Sequence, residues 1–598
     1  MSKETASYLF NDASDHSTNY EIDNIQWNYR EDVKARSYAD NMTQFDFSDL
    51  ANSTAYTSYN MWSLILPWTM IVSNHKKGQP ETDFAVSLKS SILEAINTVR
   101  IDINDVTMNS PTQYTNMALN FNLTKMSKQE LEGIATLINF KPDTVGSIRR
   151  TLPVGATPAV PNANAVGNYE YNNTIQALST LELAPKDSVG TNPTKSEFQA
   201  SVDRINDNIT ALNGAFDILA SGFSKYSVVN TGRLARMSET SFNPERAGIS
   251  TFYTKDGAEK AQISHVHEDG VFQGYSVIPL GLIHPFFKTC PPLRGAKLKL
   301  YMQLNVNLKY DLTVDVNKAY SAITKSGYGN GSGMCPFQVS PVGSGIVNHA
   351  NDDVISVQFL AGRVSGTVNT AGNTAIVTPG TVSAGISIRY PMITLNPDFE
   401  NEYLKDSVKK CAFEDFVVYP TLTSLTNLPK GGPATNIQIT NSISRLRGML
   451  ILPQSMDGTD GGLGPSYSSP FSSAPFTTAP FALPTNLMIQ VNNRNVFAQP
   501  LNYTYEMYLE NLQQSSIGKI SELGIGSGLI SRQDFERGLA YCYFDLKQSK
   551  YEEEDKLSVP VNISLTNASN LNVKYVVILF HEKRYEVDVS KGSFVVVN

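Results

Sequence analysis

From Leu298 to Val316 every even position is apolar (Leu298, Leu300, Met302, Leu304, Val306, Leu308, Tyr310, Leu312, Val314, Val316), and the odd positions are Lys, Gln, Asn, Asp and Thr apart from Tyr301. Side chains alternate between the two faces of a strand, so this run predicts one strand with a face on a core, or a strand that bends into a second one. Shorter runs of the same kind recur at Val99, Ile101 and Ile103, at Ile386, Ile388 and Tyr390, at Ile437 and Ile439, and from Leu557 through Val559, Val561 and Ile563 to Leu565. Many short strands divided by Gly, Pro and Asn turns predict sandwiches or barrels rather than a parallel sheet. The chain ends on "LNVKYVVILFHEKRYEVDVSKGSFVVVN". Its apolar run 576–580 reads as a strand buried on both faces, 582–584 as a charged turn, and Tyr585, Val587 and Val589 as the returning strand.

Helices are few. "SKQELEGIATLI" has Ser127 and Glu130 in capping-box positions and puts Leu131, Ile134, Leu137 and Ile138 on one face. "SRQDFERGLAYCYFDL" opens with a weaker Ser531/Asp534 cap and passes at Gly538 into strand-like aromatics. From Thr194, with Glu197 at the cap, Phe198, Val202, Ile205, Ile209, Leu212, Phe216 and Leu219 step by four and three. That spacing serves a coiled coil or, the plainer reading, a helix lying on its own domain. Residues 151–174, 326–345 and 456–484 are Gly/Ser/Pro-rich, lack periodicity, and read as long loops between strands.

A chain of 598 residues exceeds a single core, so at least two domains are expected. Charged residues make up 17%, well below the usual share of about 25%, which suits an all-β protein whose polar surface is covered by loops or partners. The net charge of −8, and ten acidic against four basic residues in the first fifty, speak against nucleic-acid binding as the main activity. Cys290, Cys335, Cys411 and Cys542 have no spacing of a metal site or disulfide framework, and a reducing compartment is the default. The N-terminus has no apolar signal core, the apolar stretch 61–72 is too short and Pro-broken to span a bilayer, and the sequon at Asn562 is expected to go unused.

Candidate chemistry is sparse. His265 and His267 sit two apart, so on a strand both imidazoles would share a face and could hold one metal, as in the cupin jelly rolls. The cupin pattern needs a Glu a few residues on and a third His. Here Glu268 is adjacent and turned to the opposite face, and the required place holds Gly270 or Val271. Two surface histidines in a turn is the preferred reading. "GIGSG" at 524–528 lacks the Lys-Ser/Thr of a phosphate loop, "PKGGP" at 429–433 reads as a loop, and no Ser/His/acid set stands out. No catalytic residue, cofactor or metal ligand is expected.

The segment "GYSVIPLGLIHPFFKTCPPLRGAKLKLYMQLN" (274–305) resembles a stretch in the major capsid proteins of Polinton-like viruses, virophages and Polintons. In the same order follow "ISIRYPMITLNPDFENEYLKD" (386–406), similar to that family's strand-Pro-strand passage into a linker helix, "TNSISRLRGMLILP" (440–453), "GLAYCYFDL" (538–546), and the closing amphipathic strand, apolar strand and charged hook. The resemblance implies two tandem eight-stranded jelly-roll β-sandwiches with a few short helices and long loops, kin to adenovirus hexon and to the coat proteins of tailless membrane-containing phages. It divides the chain into an N-terminal arm (1–50), a first jelly roll with long insertions (51–397), a linker helix (398–409) and a second jelly roll (410–598). It further implies a structural, non-enzymatic protein of the virion shell, a homotrimer of pseudo-hexagonal outline. Its partners would be its own copies, then penton and other minor capsid proteins, against which the arm residues Tyr20, Ile22, Ile25, Trp27 and Tyr29 would order. A lectin-like β-sandwich binding or spike protein, or a bicupin metal enzyme using His265 and His267, are the alternatives.

Overall fold

The computed structural model describes, apart from short internal gaps, residues 21–140, 271–313, 322–326, 335–341, 354–419, 428–455, 483–514, parts of 532–546, 558–568 and 573–597. The heptad-like stretch 194–219, the loops 151–174 and most of 326–345 and 456–484, the Ser127 cap, and the His265/His267 pair lie outside the described residues.

The first half is built on eight strands: β1 Ile22–Glu31, β2 Met42–Phe47, β3 Ser63–Ser73, β4 Ile96–Ile103, β5 Val106–Thr107, β6 Val271–Pro279, β7 Leu298–Leu304 and β8 Ser387–Leu395. They pair antiparallel in two sheets, β1-β8-β3-β6 and β2-β7-β4-β5. The second half repeats the scheme with β9 Val408–Tyr419, β10 Thr435–Ile439, β11 Leu446–Ser455, β12 Thr485–Val491, β13 Arg494–Asn495, β14 Cys542–Asp545, β15 Val561–Thr566 and β16 Val573–Asp588. Its sheets run β9-β16-β11-β14 and β10-β15-β12-β13, and a terminal strand β17, Ser593–Val597, folds back on β16. Numbered within each half, both sandwiches read 1-8-3-6 and 2-7-4-5, the order that two Greek keys produce when a chain wraps into a jelly roll. The protein is therefore all-β, a tandem of two sandwiches of one topology.

Within each sandwich the strands turn alternate residues inward. In β15 Val561, Ile563 and Leu565 are buried between half-exposed neighbours. In the first sandwich Phe47 of β2 meets Trp62, just ahead of β3, at 4.5 Å and Tyr390 of β8 at 5.2 Å, closing one sheet onto the other. The buried apolar residues form one continuous cluster through both halves.

The even-position run of 298–316 takes the second of its two courses. It breaks after β7, and Leu308–Thr313 joins the other sheet beside Val354–Ala361, which extends along β3. The break is made by two asparagines. Asn305 is fully buried, its N–H donating to the Ala95 carbonyl at 2.7 Å and its side-chain amide to the Glu94 carbonyl at 2.9 Å. Asn307 takes a left-handed φ of 57°, which Asn tolerates better than most residues.

Two expected boundaries are corrected. Residues 22–47 are not an arm: β1 and β2 are the first two strands of the first sandwich. The polar composition of this segment hides it, because on β1 the apolar residues face outward. The charged triplet 582–584 is not a turn, for β16 runs unbroken from Val573 to Asp588 and the chain reverses only after it. The charges are carried inside the sheet because each has a partner: Glu582 accepts from Arg447 at 3.1 Å and from Arg584 at 2.6 Å, and Lys583 lies 2.8 Å from Asp415.

Between the halves, a helix over Pro397–Lys405 is capped by Asn396, whose side chain accepts from the Asp398 N–H at 3.0 Å, and starts on Pro397. It is held to the first sandwich by Tyr403, whose hydroxyl donates to the Pro292 carbonyl at 2.8 Å, and by Glu400, which takes hydrogen bonds from Tyr56 and Arg294.

Candidate functional site at the seam between the sandwiches

In each sandwich the fifth and sixth strands are joined by a long helix-bearing connection. In the first, helix α1 (Thr115–Thr124) is buried at every residue but Asn122 although half of its residues are polar, so its polar groups must find partners within the protein. Glu94, itself buried, fixes it from its own sandwich by accepting from Asn116 and Asn120 at 2.7 Å each. Its far side meets the second sandwich. Phe121 stacks on Tyr543 of β14 at 5.3 Å and touches Phe580 of β16 at 5.8 Å. The neighbouring Phe544 contacts Tyr503 and Phe497 of its own sandwich instead. Successive strand residues point to opposite faces, so the β9-β16-β11-β14 sheet has one face on its own core and the other under α1. That is why 573–581 is buried throughout.

The connection between β6 and β7 adds a second aromatic contact. Phe286 packs on Phe413 of β9 at 5.7 Å and on Tyr585 of β16 at 5.6 Å.

Beside these rings lies a charge cluster. Asp415 of β9 is 1% exposed at its side chain. One of its oxygens faces His284 Nε2 at 3.2 Å and accepts from the Phe416 N–H at 2.9 Å. The other accepts from the Ser110 N–H at 2.8 Å, lies 2.8 Å from Lys583 Nζ and 3.6 Å from His581 Nε2. Lys583 also donates to Ser110 Oγ at 3.0 Å. His284 and Ser110 belong to the first sandwich and Asp415, His581 and Lys583 to the second, so the cluster ties one to the other. Burial by itself would raise the Asp415 carboxyl, but His284, Lys583 and His581 outweigh it and hold the group well below the usual carboxylate range. The His581 imidazole is lowered to about 4, first by burial, with Asp415 opposing and Lys583 and His284 adding to the fall.

The sign of the resulting pH dependence follows. Between about 6.5 and about 4 the unfolded chain takes up a proton at position 581 that the folded chain refuses, so stability falls as pH falls through this window, by up to about 1.4 kcal/mol per pH unit. The Asp415 contribution is intact above the ordinary carboxylate value and lost only below it. Urea unfolding at successive pH values should show the His581 slope, and the His581→Gln variant should be flatter by about one proton. A wild-type curve flat from pH 6.5 to 4.5 contradicts the assignment.

Chemically the cluster is a fastener: Asp415, His284 and His581 are buried, and Lys583 alone of its side-chain charges reaches solvent in part. Among the described residues no group of three or more His, Cys, Asp or Glu side chains is arranged to hold a metal ion, and none of the four cysteines is in a disulfide. No helix of the described residues is long and apolar enough to cross a membrane; the stretch 61–72 is mostly β3. Pro429 and Gly432 close a tight turn, the Gly432 N–H donating to the Pro429 carbonyl at 3.1 Å. The sequence reading missed Asp415, His284, His581 and Lys583 as a unit. The one available signal was local, charged residues set within the apolar strands "CAFEDFVVY" and "VVILFHEKRY".

No protein-family model and no curated protein matches the sequence. By structure the chain is similar to a chain of the Sputnik virophage structure determined by cryo-EM, at 10% identity over 98% of this chain and 91% of that one, with a TM-score of 0.44. It is likewise similar to the mavirus major capsid protein, at 10% identity over 98% and 92% with a TM-score of 0.41, and to the Faustovirus major capsid protein, at 7% identity over 98% and 92% with a TM-score of 0.42.

Proposed function

We propose that this chain is a major capsid protein, a structural tile of the virion shell of an icosahedral double-stranded DNA virus. The observation that supports the reading most is the repetition of one jelly-roll topology in two halves held by a buried seam. A chain of this kind supplies two similar upright wedges, and three chains related by a threefold axis supply six, giving a pseudo-hexagonal capsomer that tiles a closed surface. The run of motifs from 274 to 589 that resembles the capsid proteins of virophages and Polinton-like viruses points the same way. The role is mechanical rather than catalytic: a seam built of interlocked rings and a desolvated ion cluster keeps the angle between the wedges constant, which a lattice requires. The partners are copies of the chain itself, first in the trimer and then in the shell, with penton and other minor capsid proteins at its vertices and inner surface.

Light scattering together with negative-stain imaging of the purified full chain tests this. A species of about three chain masses with a hexagonal outline is expected. A stable monomer contradicts the trimeric tile.

A further inference from the structure

Along the seam two stretches of chain run past each other in opposite directions. On β9, Cys411, Phe413 and Asp415 alternate with their neighbours and turn to the same face of the strand. The connection between β6 and β7 supplies their counterparts from the first sandwich in reverse order. His284 lies against Asp415 at 3.2 Å, and Phe286 against Phe413 at 5.7 Å. Further along, the Tyr403 hydroxyl donates to the Pro292 carbonyl at 2.8 Å, and Lys409 Nζ is 5.3 Å from the Tyr403 ring centre, so Pro292 is tied to the end of β9 that Lys409 occupies. Between Phe286 and Pro292 the first stretch carries Cys290. Between Phe413 and Lys409 the second carries Cys411.

A separate set of contacts brings the same two residues together. Cys411 is opposite Tyr585 where β9 pairs with β16. The Tyr585 ring rests on Phe286 at 5.6 Å, and one helical turn past Phe286 the Cys290 N–H donates to the Phe286 carbonyl at 3.0 Å. Cys290 is buried and Cys411 partly exposed. Burial pushes both thiols up, that of Cys290 well up; Cys411 adds to the rise at Cys290, and Tyr585 opposes the rise at both. Thiols held up in this way are scarce as thiolates at neutral pH, so they exchange slowly.

We infer that Cys290 and Cys411 are a dithiol set to close into a disulfide that staples the first sandwich to the second. The oxidant is a small organic disulfide such as oxidised glutathione. Cys411, the more accessible thiol, loses its proton, and its sulfur attacks the organic disulfide, giving a mixed disulfide and releasing one small thiolate. Cys290 then loses its proton and displaces the second small thiolate as the protein S–S bond forms. Two protein thiols are oxidised, one organic disulfide is reduced to two thiols, and the protons that leave the protein end on those thiols. The bond encloses the linker helix Pro397–Lys405 in a covalent ring and lies within one chain, so it forms whether or not the chains trimerise. The seam is then held by packing and charge in a reducing compartment, and fastened covalently in an oxidising one.

The purified full chain, incubated with oxidised glutathione at about pH 8, alkylated and mapped as peptides without reductant, provides the test. The peptides of Cys290 and Cys411 should be joined, in a protein that still runs as a single chain on a denaturing gel. The urea midpoint should rise with the link and return to its starting value on reduction. Cys411→Ser treated alike should show neither the link nor the rise; should that variant not fold, reversal by reductant in the wild type is the control. A map in which both residues are alkylated, carry only separate glutathione adducts or are linked between copies overturns the inference. So does a link that leaves the midpoint unmoved, or a rise that persists in Cys411→Ser.

Discussion

Removal of residues 573–598 is expected to leave no soluble protein. Strand β16 is the interior of its sheet: it pairs with β9 from Tyr419↔Val577 to Val408↔Asp588 on one edge and with β11 from Val573 to His581 on the other. Val573, Tyr575, Val576, Val577, Ile578, Leu579, Phe580, Tyr585 and Val587 are all essentially buried. At about 2 kcal/mol for each such side chain, their loss alone exceeds the whole stability of an ordinary domain, about 5–15 kcal/mol. The deletion also bares two rows of backbone groups on β9 and β11, which invites aggregation, and takes away the surface on which Phe121 and Phe286 rest. Stopping the chain before Ser593 is the informative contrast. It removes only β17, an edge strand paired with Arg584 to Asp588, whose Val595 is exposed. That shorter truncation should stay soluble at reduced stability. Soluble yield and far-UV circular dichroism of the two truncations decide the matter, and a folded trimer from residues 1–572 would rule out the central place given to β16.

The second large effect is expected at Asp415. Asn is nearly isosteric with Asp, so Asp415→Asn keeps the volume and removes the charge that Lys583 at 2.8 Å and His284 at 3.2 Å are built around. Breaking a buried ion pair from one side leaves an uncompensated cation, at a cost of about 3–5 kcal/mol. Asp105→Asn is the matched control, for Asp105 is exposed and only 3.9 Å from Lys299; such a pair contributes about 0–1 kcal/mol. Urea unfolding of the two variants beside the wild type measures the difference. If both shift the midpoint equally, the cluster does not hold the seam. Because the cluster spans the two sandwiches, its loss should also separate one cooperative transition into two, one for each half.

Much of the fold was legible in the residues, and the places where it was not share a cause. The period-two runs at Val99–Ile103 and Val561–Leu565, and 386–390 with a one-residue margin, mark strands that the structure contains, because a strand with one face on a core must alternate. The helix over Lys128–Ala135 was visible from its spacing, though Leu137 beyond it turns to solvent while Leu131 and Ile138 are buried. Strand β1 escaped detection as part of the sandwich since its apolar residues serve its outer face, and a periodicity tells that two faces differ but not which one meets the core. The charged stretch 582–584 reads as a turn since charges inside a sheet are tolerated only with partners, and of these Arg447 and Asp415 come from elsewhere in the chain while Arg584 lies in the stretch itself.

By itself, then, the sequence determined the class, all-β with few helices, the positions of most strands, and the order of motifs that resembles a double jelly roll. These are local properties: alternation, turn residues and caps act over a few neighbours. Only the tertiary structure decided which strands lie side by side, so that both halves take the order 1-8-3-6 and 2-7-4-5. It alone brought Ser110, His284, Asp415 and the pair His581 and Lys583, from four segments each more than a hundred residues from the next, into one cluster around a buried carboxylate. It alone turned Trp27 and Tyr29 outward. Pairing across a sheet and burial of a charge are settled by whatever residues arrive on the other side, and that is a property of the folded chain as a whole.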